Sequence, residues 1–231
     1  MNEVLRQEKK FLITIDQMYR YRNTIGQVMQ EDSNNGEEGY RIRSLYYDTI
    51  DDQDFEDKED GVEVRRKIRL RCYDPKSDYA ILEMKQKQGM LQKKRSLRVR
   101  REDAIALTKR NYGVLLNYEE PFAKECYSLM QMRCYVPRTV VEYRRKAFIA
   151  KENKIRVTFD HHLIGTESCF NIFDESLLQN PIMDPYLAVL EVKYNGFLLG
   201  YIKDMLQECD KSEISVSKYC MGRGISKHYR F

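Results

Sequence analysis

The 231-residue chain has no tryptophan, only 3 histidines and 5 prolines, and no run approaching the ~18 apolar residues of a membrane-spanning helix. Its opening Met1-Asn2-Glu3-Val4-Leu5-Arg6-Gln7-Glu8-Lys9-Lys10 lacks the apolar core of a secretory signal. A soluble, cytoplasmic protein is therefore expected. Adjacent His161 and His162 would point to opposite faces of a strand, which argues against a histidine-ligated metal. The six cysteines (Cys72, Cys126, Cys134, Cys169, Cys209, Cys220) show no Cys-x-x-Cys spacing, so reduced, core-filling thiols are expected, with neither a disulfide framework nor a zinc site. Internal repeats and low-complexity linkers are absent too, and one domain over residues 1–231 is the simplest reading. Net charge is nearly absent: 40 Lys and Arg against 36 Asp and Glu leave +4. Any functional gathering of cations is thus local.

What is present is alternation. Residues 6–15, 40–48, 64–73, 79–88, 93–101, 138–149, 154–160 and 186–194 read as strands, several joined as hairpins across Gly89 and Glu152-Asn153. Asp16 offers an N-cap for a helix to about Gln30. Helices follow at 104–111, from Pro121 to about Arg133, and at 198–209. Residues 51–61 read as a short helix or loop, 170–178 are ambiguous, and the basic tail with Gly222 and Gly224 is left unassigned.

Side chains two apart on a strand share a face. One face then carries Lys67, Arg69 and Arg71; others carry Arg6, Glu8 and Lys10; Arg41 and Arg43; Glu83, Lys85 and Lys87; Tyr143 and Arg145; Arg156, Thr158 and Asp160; Glu191 and Lys193. A single strand of this kind is usually a solvated face. Repetition over seven strands, with Arg and Lys in excess, points instead to an enclosed polar surface. The expected fold is α+β: an antiparallel β-barrel of about eight strands forming a cation-lined tunnel, with helices packed outside. Buried cations are costly without a polyanion, and phosphates accept the forked donors of arginine. The glutamates suit a hard cation, Mg²⁺ or Mn²⁺, bridging to phosphate oxygens.

The ordered set Arg6-Gln7-Glu8-Lys9-Lys10-Phe11, Tyr46-Tyr47-Asp48, Lys67-Ile68-Arg69-Leu70-Arg71, Glu83-Met84-Lys85, Lys93-Lys94-Arg95, residues 138–148, Arg156, Glu191-Val192-Lys193 and Ser217-Lys218-Tyr219 resembles the VTC domain. That domain is the polyphosphate polymerase module of the vacuolar transporter chaperone family, in the triphosphate tunnel (CYTH-like) superfamily. The resemblance spans residues 6 to about 222 and looks like the free-standing prokaryotic type. It implies transfer of the γ-phosphoryl of ATP to a growing polyphosphate chain. Arg69, Arg71, Lys85, Arg145, Arg156 and Lys218 would act on the triphosphate and the transferring group. Lys10, Lys67, Lys93 (or Lys94, if the hairpin register shifts by one), Tyr143, Lys193 and Ser217 would bind substrate. Glu191, with Glu8, would hold Mn²⁺ or Mg²⁺. Arg6 stands where the wider superfamily has the first glutamate of Glu-x-Glu-x-Lys, which favours the polymerase over a simple triphosphatase.

The implied partners are ATP and polyphosphate. A membrane partner is compatible with the resemblance, since export would need one. Nucleic acid is disfavoured, because no aromatic stacking platform alternates with the cations. A tunnel triphosphatase and a non-catalytic polyphosphate-binding module remain the alternatives. Arg223, Lys227, His228 and Arg230 read as a solvated end.

Overall fold

The computed structural model describes residues 6–89, 91–208 and 217–228. In chain order the elements are β1 (Arg6–Thr14), α1 (Ile15–Gly26), β2 (Gln30–Glu31), β3 (Tyr40–Thr49), α2 (Gln53–Glu59), β4 (Val64–Cys72), β5 (Tyr79–Gln88), β6 (Leu91–Arg100), α3 (Arg101–Thr108), α4 (Pro121–Met132), β7 (Tyr135–Ile149), β8 (Arg156–Thr166), β9 (Asn180–Pro181), β10 (Leu187–Asn195), α5 (Gly200–Glu208) and α6 (Lys218–His228). They group into two compact units. One comprises residues Met1–Arg41, Tyr143–Leu163 and Met183–Ser217; the other comprises Ile42–Glu142, Ile164–Ile182 and Lys218–Phe231. Strands β3, β7 and β8 each run through both sets, so no single break in the sequence separates them.

In the first unit the strand order is β1-β10-β8-β7, with β1 and β8 antiparallel to β10. Phe11, Ile13, Val157, Phe159, Leu190 and Val192 point to one face and pack with Met18, Tyr21 and Ile25 of α1 and Ile202 and Met205 of α5. Helix α1 is capped two residues before the expected Asp16. Thr14 caps it, accepting from the Gln17 amide at 3.2 Å while Gln17 Oε1 accepts from the Thr14 amide at 2.9 Å. This reciprocal pair satisfies two otherwise orphaned donors, so it outcompetes a lone aspartate.

In the second unit the order is β7-β3-β4-β5-β6, with β3 to β6 a run of antiparallel neighbours. Leu45, Ile68, Leu70, Leu82, Met84, Leu97 and Val99 form the apolar face, covered by Ala104 and Leu107 of α3 and Ala123, Cys126 and Met130 of α4. Leu45, Ile68, Leu70 and Leu82 are fully buried, each contributing ~1.5–3 kcal/mol relative to exposure. A one-residue slip would exchange them for the charged face, so their burial pins the register.

The antiparallel sheet with helices against its apolar face is the expected α+β architecture. Ladder closure differs: among the described residues β1 pairs only with β10 and β6 only with β5, where a hydrogen-bonded barrel would leave no edge. Edge strand β6 carries Lys93, Lys94, Arg95, Arg98 and Arg100, and a charged edge resists further pairing. The unassigned tail is also corrected, because Lys218–His228 is helical. A Cβ on Gly222 would lie 2.7 Å from Val141 Cγ2 and 2.9 Å from Thr139 Oγ1, so this glycine permits close helix–strand packing instead of breaking the helix. None of the described helices is long and apolar enough to cross a membrane.

Candidate functional site: charged sheet faces

Opposite the apolar face of the second unit, the register sets Lys67, Lys85 and Lys94 abreast on β4, β5 and β6, then Tyr46, Arg69, Glu83 and Ser96 on β3 to β6, then Ser44, Arg71, Ile81 and Arg98. Glu83, 3% exposed, is the hub. Its Oε2 accepts from Arg69 Nε at 2.6 Å and stands 3.7 Å from Arg71 Nε, while Lys94 pairs with Oε1. Burial opposes ionisation of Glu83, but Arg69, Arg71 and Lys94 outweigh it and hold the carboxyl down at about 2. Arg69 also donates to the Tyr46 hydroxyl at 3.3 Å, and Arg71 to Ser44 Oγ at 3.4 Å. These contacts orient the guanidinium groups before any ligand arrives.

The charged face of the first unit is interleaved. Glu8 stands opposite Lys193, and Lys10 opposite Glu191. Lys10 Nζ lies 2.7 Å from Glu8 Oε1 and 4.0 Å from Glu191 Oε2; Lys193 Nζ lies 3.7 Å from Glu8 Oε2 and pairs with Glu191 Oε1. Arg156, cross-strand from Lys193, donates to Asp32 Oδ2 at 2.8 Å and to the Tyr40 hydroxyl at 3.0 Å. Arg145 makes a two-pronged pair with buried Asp160, at 2.6 and 2.7 Å, and lies 5.4 Å from the centroid of the buried Tyr143 ring. Among the described residues no three His, Cys, Asp or Glu side chains gather as a metal cage. Two carboxylates on neighbouring strands fit a hard divalent cation whose other ligands are phosphate oxygens and water.

Lys218 is the first residue of α6, and Ser217 before it is buried. Side-chain contacts in the second unit tie the helix down. Tyr219 donates to Asp48 Oδ2 at 2.5 Å and stacks on Tyr46 with centroids 5.4 Å apart. Arg223 Nη2 lies 2.8 Å from Asp52 Oδ2, and Lys227 Nζ 3.3 Å from the same oxygen. Arg223 and Lys227 are therefore ion-paired and only about 15% exposed, unlike the solvated end expected. Arg230 and Cys209 lie outside the described residues.

The structure thus brings together Lys67, Arg69, Arg71 and Lys85 in one unit, and Glu8, Lys10, Glu191 and Lys193 with neighbouring Arg156 in the other. Lys93 does not join the first set. It stands opposite Gln86 on the side of α4, where Arg95 and, more weakly, Lys93 lower the Glu125 carboxyl. Lys94 takes the place facing Lys85 because the burial of Leu97 and Val99 sets the parity of β6. Arg43 also leaves the charged face: it is 3% exposed, paired with Glu142 at 2.6 Å and bonded to the Ile172 and Asp174 carbonyls. Among the anionic partners, Glu83 was marked in the sequence by its place two residues before a lysine, and Asp160 by its parity with Arg156. Asp32, in a polar loop, carried no signal.

These observations define an α+β protein on an antiparallel sheet, one face apolar and helix-covered, the other carrying ordered cations and carboxylates. The chain belongs to the VTC domain family, whose pattern matches residues 5–227. A crystal structure described as a putative adenylate cyclase from Bacillus halodurans shares the fold at 10% identity and a TM-score of 0.53, covering 92% of this chain and 95% of its own. Two proteins of Pyrococcus horikoshii OT3, PH1819 and PH1012, are 10% identical with TM-scores of 0.45 and 0.43; they cover 96% and 91% of this chain and 99% and 94% of their own. No curated protein matches the chain.

Proposed function

We propose that the chain is an ATP-dependent polyphosphate polymerase. The observation that carries this reading is the row Lys67, Lys85 and Lys94, three ammonium side chains directly abreast on neighbouring strands. Like charges set opposite one another destabilise a sheet, and a chain of phosphates reverses that cost by charge-assisted hydrogen bonding. Membership of the VTC domain family supports the same ligand class.

In the proposed reaction an ionised terminal oxygen of polyphosphate attacks the γ-phosphorus of ATP. The bond from that phosphorus to the β–γ bridging oxygen breaks, and ADP leaves with the electron pair. The nucleophile is already anionic, so the protein supplies alignment and charge neutralisation without a base. Arg69, Arg71 and Lys85 grip the triphosphate, with Lys67 and Lys94 alongside. The resemblance to the family implies roles toward the transferring group for Arg145 and Arg156 of the first unit and for Lys218 of the second, and hydroxyl donors from Tyr143 and Ser217. Lys10 and Lys193 bind phosphate, and their release from Glu8 and Glu191 leaves those carboxylates as the metal-holding pair. A divalent cation, Mn²⁺ or Mg²⁺, supplies Lewis-acid neutralisation of phosphate oxygens when bound.

Purified protein incubated with ATP and Mn²⁺ is expected to make a polyanion that exopolyphosphatase degrades, with one ADP released for each phosphate added. Glu191→Ala is expected to abolish it. Conversion of ATP to ADP and free phosphate without polymer would replace this reading by a tunnel triphosphatase. Tight polymer binding without nucleotide turnover would make the chain a binding module.

A further inference from the structure

The charged face of the second unit changes character along its strands. One end carries Lys67, Lys85 and Lys94 abreast; four residues further along β4, Arg71 is abreast of Ile81 and Arg98. Two tyrosines, Tyr73 and Tyr79, stand at this second end beside Arg71 and Arg98. Tyr73, just past β4, keeps its ring centroid 5.8 Å from the Arg71 guanidinium and its hydroxyl 3.5 Å from Arg71 Nη1. Arg98 lies 3.7 Å over the ring of Tyr79. Tyr73 is 42% exposed, while Arg71 beside it is buried. At ~3.3 Å per residue the six steps from Lys67 to Tyr73 cover roughly 20 Å, room for a base, a sugar and phosphates in series.

We propose that Tyr73, backed by Arg71 and flanked by Ile81 and the Arg98–Tyr79 pair, is the platform on which the purine base of a nucleoside triphosphate stacks. The nucleotide then lies with its base at the Arg71 end and its terminal phosphate toward Lys67, Lys85 and Lys94. This rests on the nucleotide reading given above. An exposed ring supplies a π-face to any base, and a neighbouring guanidinium adds a cation–π contact. At the lysine end only charge is offered, which suits bare phosphates.

The test is isothermal titration of the full chain with ATP and, separately, with inorganic tripolyphosphate, which carries the phosphates without the base. Tyr73→Ala should weaken ATP by about tenfold, the loss of one base–aromatic stack, and leave tripolyphosphate within about twofold. Tyr73→Phe should restore ATP affinity and Tyr73→Trp should raise it. Equal weakening of both ligands would show Tyr73 acting only through Arg71 and would overturn the platform, as would an unchanged ATP affinity in Tyr73→Ala. A wild-type chain that binds tripolyphosphate but not ATP would remove the base subsite and the nucleotide donor together. One that binds neither would overturn the phosphate reading itself.

Discussion

Arg69 donates from Nε to Glu83 Oε2 at 2.6 Å, across a ladder in which the two residues stand directly opposite. The carboxylate sits where a phosphate oxygen would compete for the same donors, so Glu83 both orients the cations and restrains their charge. Removing it leaves Arg69, Arg71 and Lys94 facing one another, at a cost of about 3 kcal/mol for a broken buried pair. Glu83→Gln should lower the urea midpoint accordingly. Saturating tripolyphosphate should then raise the melting temperature of the variant more than that of the wild type. An equal rise in both would mean that Glu83 does not compete with the ligand.

Two carboxyl groups of the second unit set opposite pH limits. Glu83, held at about 2 against an ordinary 4.5, contributes stability that is present above 4.5 and lost as pH falls toward about 2. Asp54 is the reverse case. Burial, with the neighbouring Asp48 carboxylate, raises it from 3.8 to about 7, so its favourable contribution is full below 3.8 and gone above about 7. Its Oδ2 accepts from the buried Tyr135 hydroxyl at 2.8 Å, a bond an amide can keep. Asp54→Asn should therefore stabilise the protein at pH 8 by roughly 3 kcal/mol and do little at pH 4. Denaturant titrations at the two pH values check this; an equal effect at both would contradict it.

The paired lysines of β6 offer a register test. Lys94 faces Lys85 and Lys93 faces Gln86, so the two substitutions should differ. Lys94→Ala should weaken tripolyphosphate about tenfold, the loss of one charge-assisted contact. Lys93→Ala should leave the affinity nearly unchanged, and the reverse ranking would place β6 one residue out of register.

Gly222 tests the seating of α6. Alanine there favours the helix by ~1 kcal/mol, yet its Cβ would approach Val141 Cγ2 to 2.7 Å. Overpacking of this kind costs ~1–3 kcal/mol. Gly222→Ala is expected to lower the melting temperature and, by displacing Lys218, to reduce kcat more than it raises KM for ATP. Unchanged turnover would detach Lys218 from the reaction.

Much of the charged face was legible because a strand has a period of two. Lys67, Arg69 and Arg71 alternate with buried Ile68, Leu70 and Cys72, and no other backbone state sorts that sequence as cleanly. Lys93 and Lys94 were not separable this way, since adjacent lysines fit either parity until Leu97 and Val99 are seen to be buried. Arg43 misled because its partner Glu142 lies 99 residues away on another strand. Helix α6 was hidden by Gly222, which reads as a breaker until its contact with β7 explains it.

The sequence by itself determined the strand alternation, the antiparallel α+β class, the family and the abundance of paired cations and carboxylates, because these follow from local periodicity and residue order. Only the tertiary structure decided which cation meets which carboxylate: Arg69 with Glu83, Arg145 with Asp160, Arg156 with Asp32. Those pairings depend on strand order, register and loop placement, which are set by burying the opposite, apolar face and leave no trace in the spacing of the charged residues themselves.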